Sequence, residues 1–309
     1  MDNKESNFVS AVVYLHSEDD NTYGFLQMLN TVLSENFKAY ELILVDDNVA
    51  VSIIENIRRF KNDNPHVICS IISMGFKHGL EASMNAGVDL AIGDFVFEFD
   101  SCYIDYPRDL IMEIYKISLR ENFDIVCASP YKTRLSSKFF YAIYNKYSKA
   151  TTPIATERFQ VLSRRALNRI YSYSKDIPYR KSVYSAIGLN ICQLKYDKIS
   201  NTSGKLPKET FNFSTAANSL ILFTDLTYRF TFGLSLFMAF LMLVSGTYTV
   251  IVYFGQAKPV PGWAPLMGLI SLGFFAIFTV FTIIIKYLDV LLGLVFKRQK
   301  YMISGIEKL

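Results

Sequence analysis

Apolar and polar positions alternate in blocks along the N-terminal part of the chain. Phe8 to Leu15 is a nearly unbroken apolar run, followed by the polar stretch His16-Ser-Glu-Asp-Asp-Asn21 with several candidate helix caps. Phe25, Leu26, Leu29, Val32 and Leu33 then fall on one helical stripe, which predicts a helix over Thr22 to Glu35. Tyr40 to Val45 reads as a second strand ending in Asp46-Asp47-Asn48, and Val51 to Lys61 as a second helix. Val67 to Ile72 is a third strand, trailed by Ser73 to Gly79, and a helix covers Leu80 to Ala91. The fourth strand lies in Gly93 to Pro107. Its bulky run Phe95, Val96, Phe97 and Phe99 suits a strand buried on both faces, and it stops at Asp100. Pro107 reads as the opening of a helix, and Phe123 to Pro130 as a further strand. Strands alternating with helices call for an α/β domain with a mainly parallel sheet covered by helices.

The pattern changes toward the C-terminus. Phe230 to Ala257 and Pro259 to Ile285 contain no charged residue. Each exceeds the roughly 20 apolar residues needed to cross a bilayer. They account for a hydrophobic content of 51% in 309 residues, high for a freely soluble enzyme. The expected organisation is a globular domain followed by a two-helix membrane anchor. Lys297, Arg298 and Lys300 follow the second apolar stretch, whereas the loop from Gln256 to Trp263 carries only Lys258. Positive charge favours the cytoplasm, so the domain and the tail are expected inside and the loop outside. Ser136 to Lys149 mixes aromatics with lysines. That composition fits a helix lying in the membrane interface, and equally a helix packed on the sheet. The polar N-terminus lacks the pattern of a signal peptide. Four scattered cysteines without metal-type spacing suit reduced thiols. A net charge of +4 fits contact with anionic lipid and does not call for nucleic acid.

Chemistry enters at the strand ends. Ligands of open α/β sheets bind outside the carboxyl ends of the strands. Asp46-Asp47 and Asp100 end two different strands and, in a parallel sheet, face one crevice. Carboxylates there can accept hydrogen bonds from a base or ribose, or hold a divalent cation that neutralises phosphates. A nucleoside diphosphate is the ligand this suggests. The glycine-rich fingerprint of dinucleotide enzymes is absent, since the first strand leads into Ser-Glu-Asp-Asp. His16, His66 and His78 share no spacing and receive no metal role.

Several stretches in order resemble one family. Val9 to Glu18 is similar to its opening strand and acidic loop, and Leu44-Val-Asp-Asp47 to its nucleotide-binding segment. Gly79, Ala82, Asn85, Gly87, Ala91, Gly93 and Asp94 match its helix and following Gly-Asp. Ser163-Arg164-Arg165, Gly204-Lys205-Leu206 and Pro261-Gly-Trp-Ala264 resemble later landmarks, the last being a turn between two membrane helices. The chain thus resembles a family 2 glycosyltransferase of the GT-A fold, within it the polyprenyl-phosphate sugar transferases, such as the dolichol-phosphate mannose synthases and bactoprenol glucosyltransferases.

The resemblance implies transfer of a sugar from a nucleotide-sugar to a polyprenyl phosphate, undecaprenyl phosphate in a bacterium, with inversion, for cell-surface glycan synthesis. It implies catalytic roles for Asp100, Asp105 and Glu157, with Asp46, Asp47, Asp100 and Lys77 at the nucleotide-sugar, Mg2+ or Mn2+ weakly held by Asp100 and Asp105, and Lys181, Lys205 and Arg229 at the lipid phosphate. It also implies an inner-membrane location and partners limited to these substrates and membrane lipids, and it leaves room for a homo-oligomer. The corresponding boundaries are a GT-A domain over 1–205, an interfacial segment over 206–228, membrane helices over 229–257 and 264–288 joined by the loop 258–263, and a basic tail over 289–309. Two departures stand out. The family's Asp-X-Asp reads Asp100-Ser101-Cys102, and a candidate base position is occupied by Arg158, with Glu157 one residue earlier. These departures support an alternative from another class, a non-catalytic membrane scaffold.

Overall fold

The computed structural model describes residues 4–16, 21–133, 135–148, 152–173, 179–199, 263–295 and 301–309, with scattered positions between 224 and 247. The chain divides into two compact units: residues 1–146, 150–216 and 299–309 form the first, and residues 147–149 and 217–298 the second.

The first unit follows the predicted alternation through β1 (Val9–Leu15), α1 (Thr22–Asn36), β2 (Tyr40–Asp46), α2 (Val51–Asp63), β3 (Ile68–Met74), α3 (Leu80–Leu90), β4 (Phe95–Phe99), α4 (Leu110–Arg120) and β5 (Ile125–Pro130). All seven residues of β1 are buried, as a central strand covered on both faces requires. The α1 stripe turns inward as its spacing predicts, burying Phe25, Leu26, Leu29, Val32 and Leu33. Gly87 lets α3 press against the sheet: a Cβ there would stand 2.4 Å from Val12 Cγ1 and 2.8 Å from Val45 Cγ2. One boundary needs correction. Pro107 does not open α4. The N–H groups of Leu110 and Ile111 donate to the carbonyls of Pro107 and Arg108, three residues back, so a tight turn precedes the helix.

The rest of the unit is α5 (Leu135–Tyr147), β6 (Phe159–Ser163), α6 (Arg164–Tyr173), α7 (Arg180–Ala186), β7 (Ile191–Tyr196) and β8 (Ile303–Lys308). The eight described strands form one sheet in the order β7-β5-β6-β4-β1-β2-β3-β8. β4, β1, β2 and β3 are parallel neighbours, and β5 is parallel to β7. β6 runs antiparallel between β4 and β5, and β8 antiparallel beside β3. Thus the last residues of the predicted basic tail lie in the sheet. On α5, Phe140 and Tyr144 are buried while Leu135 and Phe139 remain 84% and 70% exposed.

The second unit contains α8 (Trp263–Val295), which holds most of the second predicted membrane segment. Side chains are described at only part of its positions. Counting only described residues, no helix is long and apolar enough to cross a membrane. Most of the first apolar stretch and the loop 258–262 lie outside the described residues.

Candidate active site

The site lies at one edge of the sheet because three parallel strands end there together. Register pairs Leu15 of β1 with Asp46 of β2, and Val13 of β1 with Phe99 of β4. Asp46 and Asp47 therefore leave β2 at the edge where Asp100 leaves β4, with β1 between them. Neighbouring strands are about 4.8 Å apart, so the two carboxylate groups are separated by roughly 10 Å at the backbone.

On the β2 side, the polar groups serve the backbone. Asp46 Oδ1 accepts from the N–H of Val49 at 2.9 Å, closing the turn after the strand. The Asp47 carboxylate is buried and accepts from Tyr14 Oη at 3.0 Å, from the His78 N–H at 2.7 Å and from the Gly79 N–H at 2.8 Å. It ties β2 to the loop between β3 and α3. Gly79 sits at φ +84°, where an L side chain would be strained, and opens α3. Lys77 is exposed on this loop.

On the β4 side, the polar groups pair with each other. Antiparallel β6 sets Phe159 opposite Phe99, which brings the preceding Glu157 and Arg158 to the level of Asp100. Asp105 is fully buried. It accepts from Arg158 Nε at 3.1 and 3.2 Å and from Tyr196 Oη at 2.8 Å, and Lys198 Nζ stands 3.5 Å away. Both its oxygens are taken up by these groups. The Arg158 guanidinium also lies over the Tyr103 ring.

Arg180, 1% exposed at the start of α7, joins three carboxylates. Its Nε meets Glu81 of α3 at 3.0 Å, its Nη1 contacts Glu98 of β4, and its Nη2 meets Asp100 Oδ1 at 2.9 Å. Glu98 accepts further from Gln160 Nε2 at 2.6 Å and Tyr184 Oη at 3.0 Å. Lys181 Nζ stands 3.8 Å from Asp100 Oδ2 and 3.4 Å from Glu157 Oε2. Burial lifts the carboxyls of Glu98 and Glu157 above their ordinary range, with Arg180 and Lys181 opposing the rise. Burial, the largest single effect on Lys181, would lower it, but Glu157, Tyr141, Asp100 and Glu81 together outweigh burial and the ammonium stays charged.

Of the expected site residues, the structure brings together Asp100, Glu157 and Lys181 at one end of the edge and Asp46, Asp47 and Lys77 at the other. Arg229 is helical and exposed in the second unit, and Lys205 lies outside the described residues. Nothing in the local sequence marks Arg180 or Glu98 as a site residue. Arg180 is separated by 80 to 99 residues from its three carboxylates, a distance no local motif spans. Cys102, in place of a second motif carboxylate, is buried in the core at 1% exposure. Among the described residues, no group of three or more His, Cys, Asp or Glu side chains is arranged to hold a metal ion. A cation would have Asp100 Oδ2, shared with Lys181, and must draw its other ligands from phosphate and water.

An α/β sheet with carboxylates closing β2 and β4, and an antiparallel strand returning beside β4, defines a GT-A domain. The glycosyl transferase family 2 model matches residues 22–185, over half of the chain, and the chain belongs to that family. It is 22% identical to an uncharacterised glycosyltransferase of Synechocystis over 84% of this chain and 83% of the relative. It is likewise 22% identical to CsbB, a putative glycosyltransferase of Bacillus subtilis, over 82% of this chain and 78% of the relative. Among solved structures it shares its fold with the mannosyltransferase PcManGT of Pyrobaculum calidifontis, determined with GDP-Man and Mn2+. The TM-score is 0.53 at 14% identity, covering 95% of this chain and 89% of that one.

Proposed function

We propose that this protein is a membrane-anchored, inverting transferase that moves a sugar from a nucleotide-sugar to a polyprenyl phosphate at the inner membrane. One observation carries the acceptor class: Asp105, Glu157, Glu98 and Asp100 each have a cation at contact distance. A hydroxyl acceptor needs a base, and each of these carboxylates stands beside a cation, Glu157 most loosely, its Oε2 making no hydrogen bond. A phosphate acceptor arrives already ionised and needs positive groups to position it. Lys181 beside Asp100 is the group assigned to that contact, while Arg180, buried among Glu81, Glu98 and Asp100, holds Asp100 in position. An acceptor phosphate oxygen forms a bond to the anomeric carbon from the face opposite the nucleotide. The bond to the nucleoside diphosphate breaks, and that diphosphate leaves with the electron pair.

On the donor side, Asp46 and Asp47 hold the nucleoside, with Lys77 at the phosphates. Asp100 would hold Mg2+ or Mn2+ as one ligand among several, the diphosphate supplying most of the others, and the ion would supply charge neutralisation there. PcManGT, of the same fold, was solved with GDP-Man and Mn2+, which supports this reading. Lys205 and Arg229 are assigned to the lipid phosphate or headgroups on sequence position alone.

Anchoring by 229–257 and 264–288 is supported by the absence of charge in those stretches and by exposed Leu135 and Phe139 beside Lys138 on α5, an interfacial face. β3 and β8 share one sheet, so the chain between them crosses a membrane an even number of times. Two crossings satisfy this and keep the first unit and β8 on one side of the membrane; the charge of Lys297, Arg298 and Lys300 favours the cytoplasmic side for both. The test is transfer by purified protein in detergent, given undecaprenyl phosphate and a panel of labelled nucleotide-sugars. Product of inverted anomeric configuration is expected; no transfer from any donor defeats the reading. The non-catalytic alternative predicts no nucleoside diphosphate binding in calorimetry.

A further inference from the structure

The C-terminal strand ends far from the reacting groups in sequence but reaches the loop that Asp47 holds. Before β8 begins, the Met302 carbonyl accepts from the Gly75 N–H at 2.7 Å, and the Met302 N–H donates to His78 Nε2 at 3.0 Å. His78 Nδ1 lies 2.5 Å from the Phe76 carbonyl oxygen. A carbonyl only accepts, so Nδ1 carries the proton and Nε2 presents its lone pair to Met302. The Phe76 ring stacks on the imidazole at 3.8 Å between centroids. Tyr301 Oη donates to Asp89 of α3, and Ser304 Oγ to the Ser73 carbonyl at 2.9 Å. Residues 301–304 thus clasp both ends of the β3–α3 loop. The same loop turns its His78 and Gly79 N–H groups onto Asp47.

We propose that β8 is a latch for the nucleotide-side loop, with His78 as its positioning residue: it fixes the segment 75–79 against Asp47 and so sets the affinity for a nucleoside diphosphate. The inference rests on the reading that Asp47 and this loop hold the donor. β8 itself has no buried residue, so its place in the sheet rests on ladder and loop hydrogen bonds, an exposed Arg58–Glu307 pair and the packing of Leu309 beyond its end, a contact that can open locally without unfolding the core.

The test uses full-length protein in detergent and three variants. His78→Ala removes the acceptor. Met302→Pro removes the N–H from the other side. His78→Gln keeps an acceptor oxygen near the position of Nε2. Two measurements are made: amide hydrogen exchange across residues 75–79, and binding of UDP and GDP by calorimetry. A neutral hydrogen bond contributes about 0.5–1.5 kcal/mol net, so His78→Ala and Met302→Pro are expected to speed exchange and weaken nucleotide binding by roughly three- to tenfold. His78→Gln is expected to stay within about twofold of wild type on both. Exchange unchanged in His78→Ala and Met302→Pro overturns the latch. Faster exchange with unchanged nucleotide affinity overturns its positioning role. Wild-type protein that binds neither UDP nor GDP fails the donor reading instead, and the exchange measurement then decides the latch by itself.

Discussion

The two halves of the sheet handle their polar groups in opposite ways. Around β1, β2 and β3, carboxylates bind backbone N–H groups: Asp46 closes a turn, and Asp47 holds a loop. Around β4, β6 and α7, carboxylates bind cations from distant parts of the chain, and Arg180 gathers three of them. The first arrangement shapes a recess for a ligand that brings its own charge. The second makes a charged field of fixed geometry, stable only while every member is present. A buried ion that loses its partner is far costlier than a turn that loses one hydrogen bond.

That contrast can be broken at its strongest point first. Arg180→Ala leaves Glu98 enclosed without its cation, beside Glu81 and an Asp100 that keeps only Lys181, and should lower stability by about 3–5 kcal/mol. Chemical denaturation reads this directly, and a loss under 1 kcal/mol would mean that the pairs matter little. The next effect is on activity. Asp100→Ala should cut transfer by about 10²–10³-fold, the range for loss of one preorganised electrostatic group. Transfer at the normal rate would remove Asp100 from the mechanism.

In the other half, packing should dominate. Gly87→Ala drives a methyl group into Val12 and Val45 and should cost about 1–3 kcal/mol while leaving nucleotide affinity intact once the protein is folded. The smallest effect concerns pH. Glu98 and Glu157 have folded pKa values raised by burial, so the folded state binds protons more tightly than the unfolded chain. Their contribution is present below the ordinary carboxylate value and is lost as pH rises through the raised ones. Melting temperature should therefore fall across that window, and Glu157→Gln should flatten the fall. An unchanged slope in Glu157→Gln would assign the titration elsewhere.

The two halves were also unequally legible. β1 to β5 and α1 to α3 follow from apolar runs and the helical segments between them, α4 is announced only by Pro107 a turn before it begins, and Asp46, Asp47 and Asp100 follow from being carboxylates at strand ends. β6 is five residues long and returns antiparallel, which alternation of strand and helix does not predict. β8 has no buried face, so its sequence Ile-Ser-Gly-Ile-Glu-Lys carries no burial pattern to read. Asp105 follows the same logic: its spacing from Asp100 is visible in sequence, but the Arg158 that encloses it is 53 residues away. Local chemistry leaves a local mark, whereas a pair made by folding leaves none.

The placement of β8 also has a consequence in time. The ribosome delivers the chain from its N-terminus, so β1 to β7 emerge before α8, and β8 emerges last. The sheet lacks its final edge strand throughout that interval, and β3 stands as an open edge. Completion of the first unit therefore waits on synthesis of everything between residues 197 and 302, and an arrested chain that ends within α8 would carry a nearly whole domain whose β3–α3 loop lacks its contacts to residues 301–304.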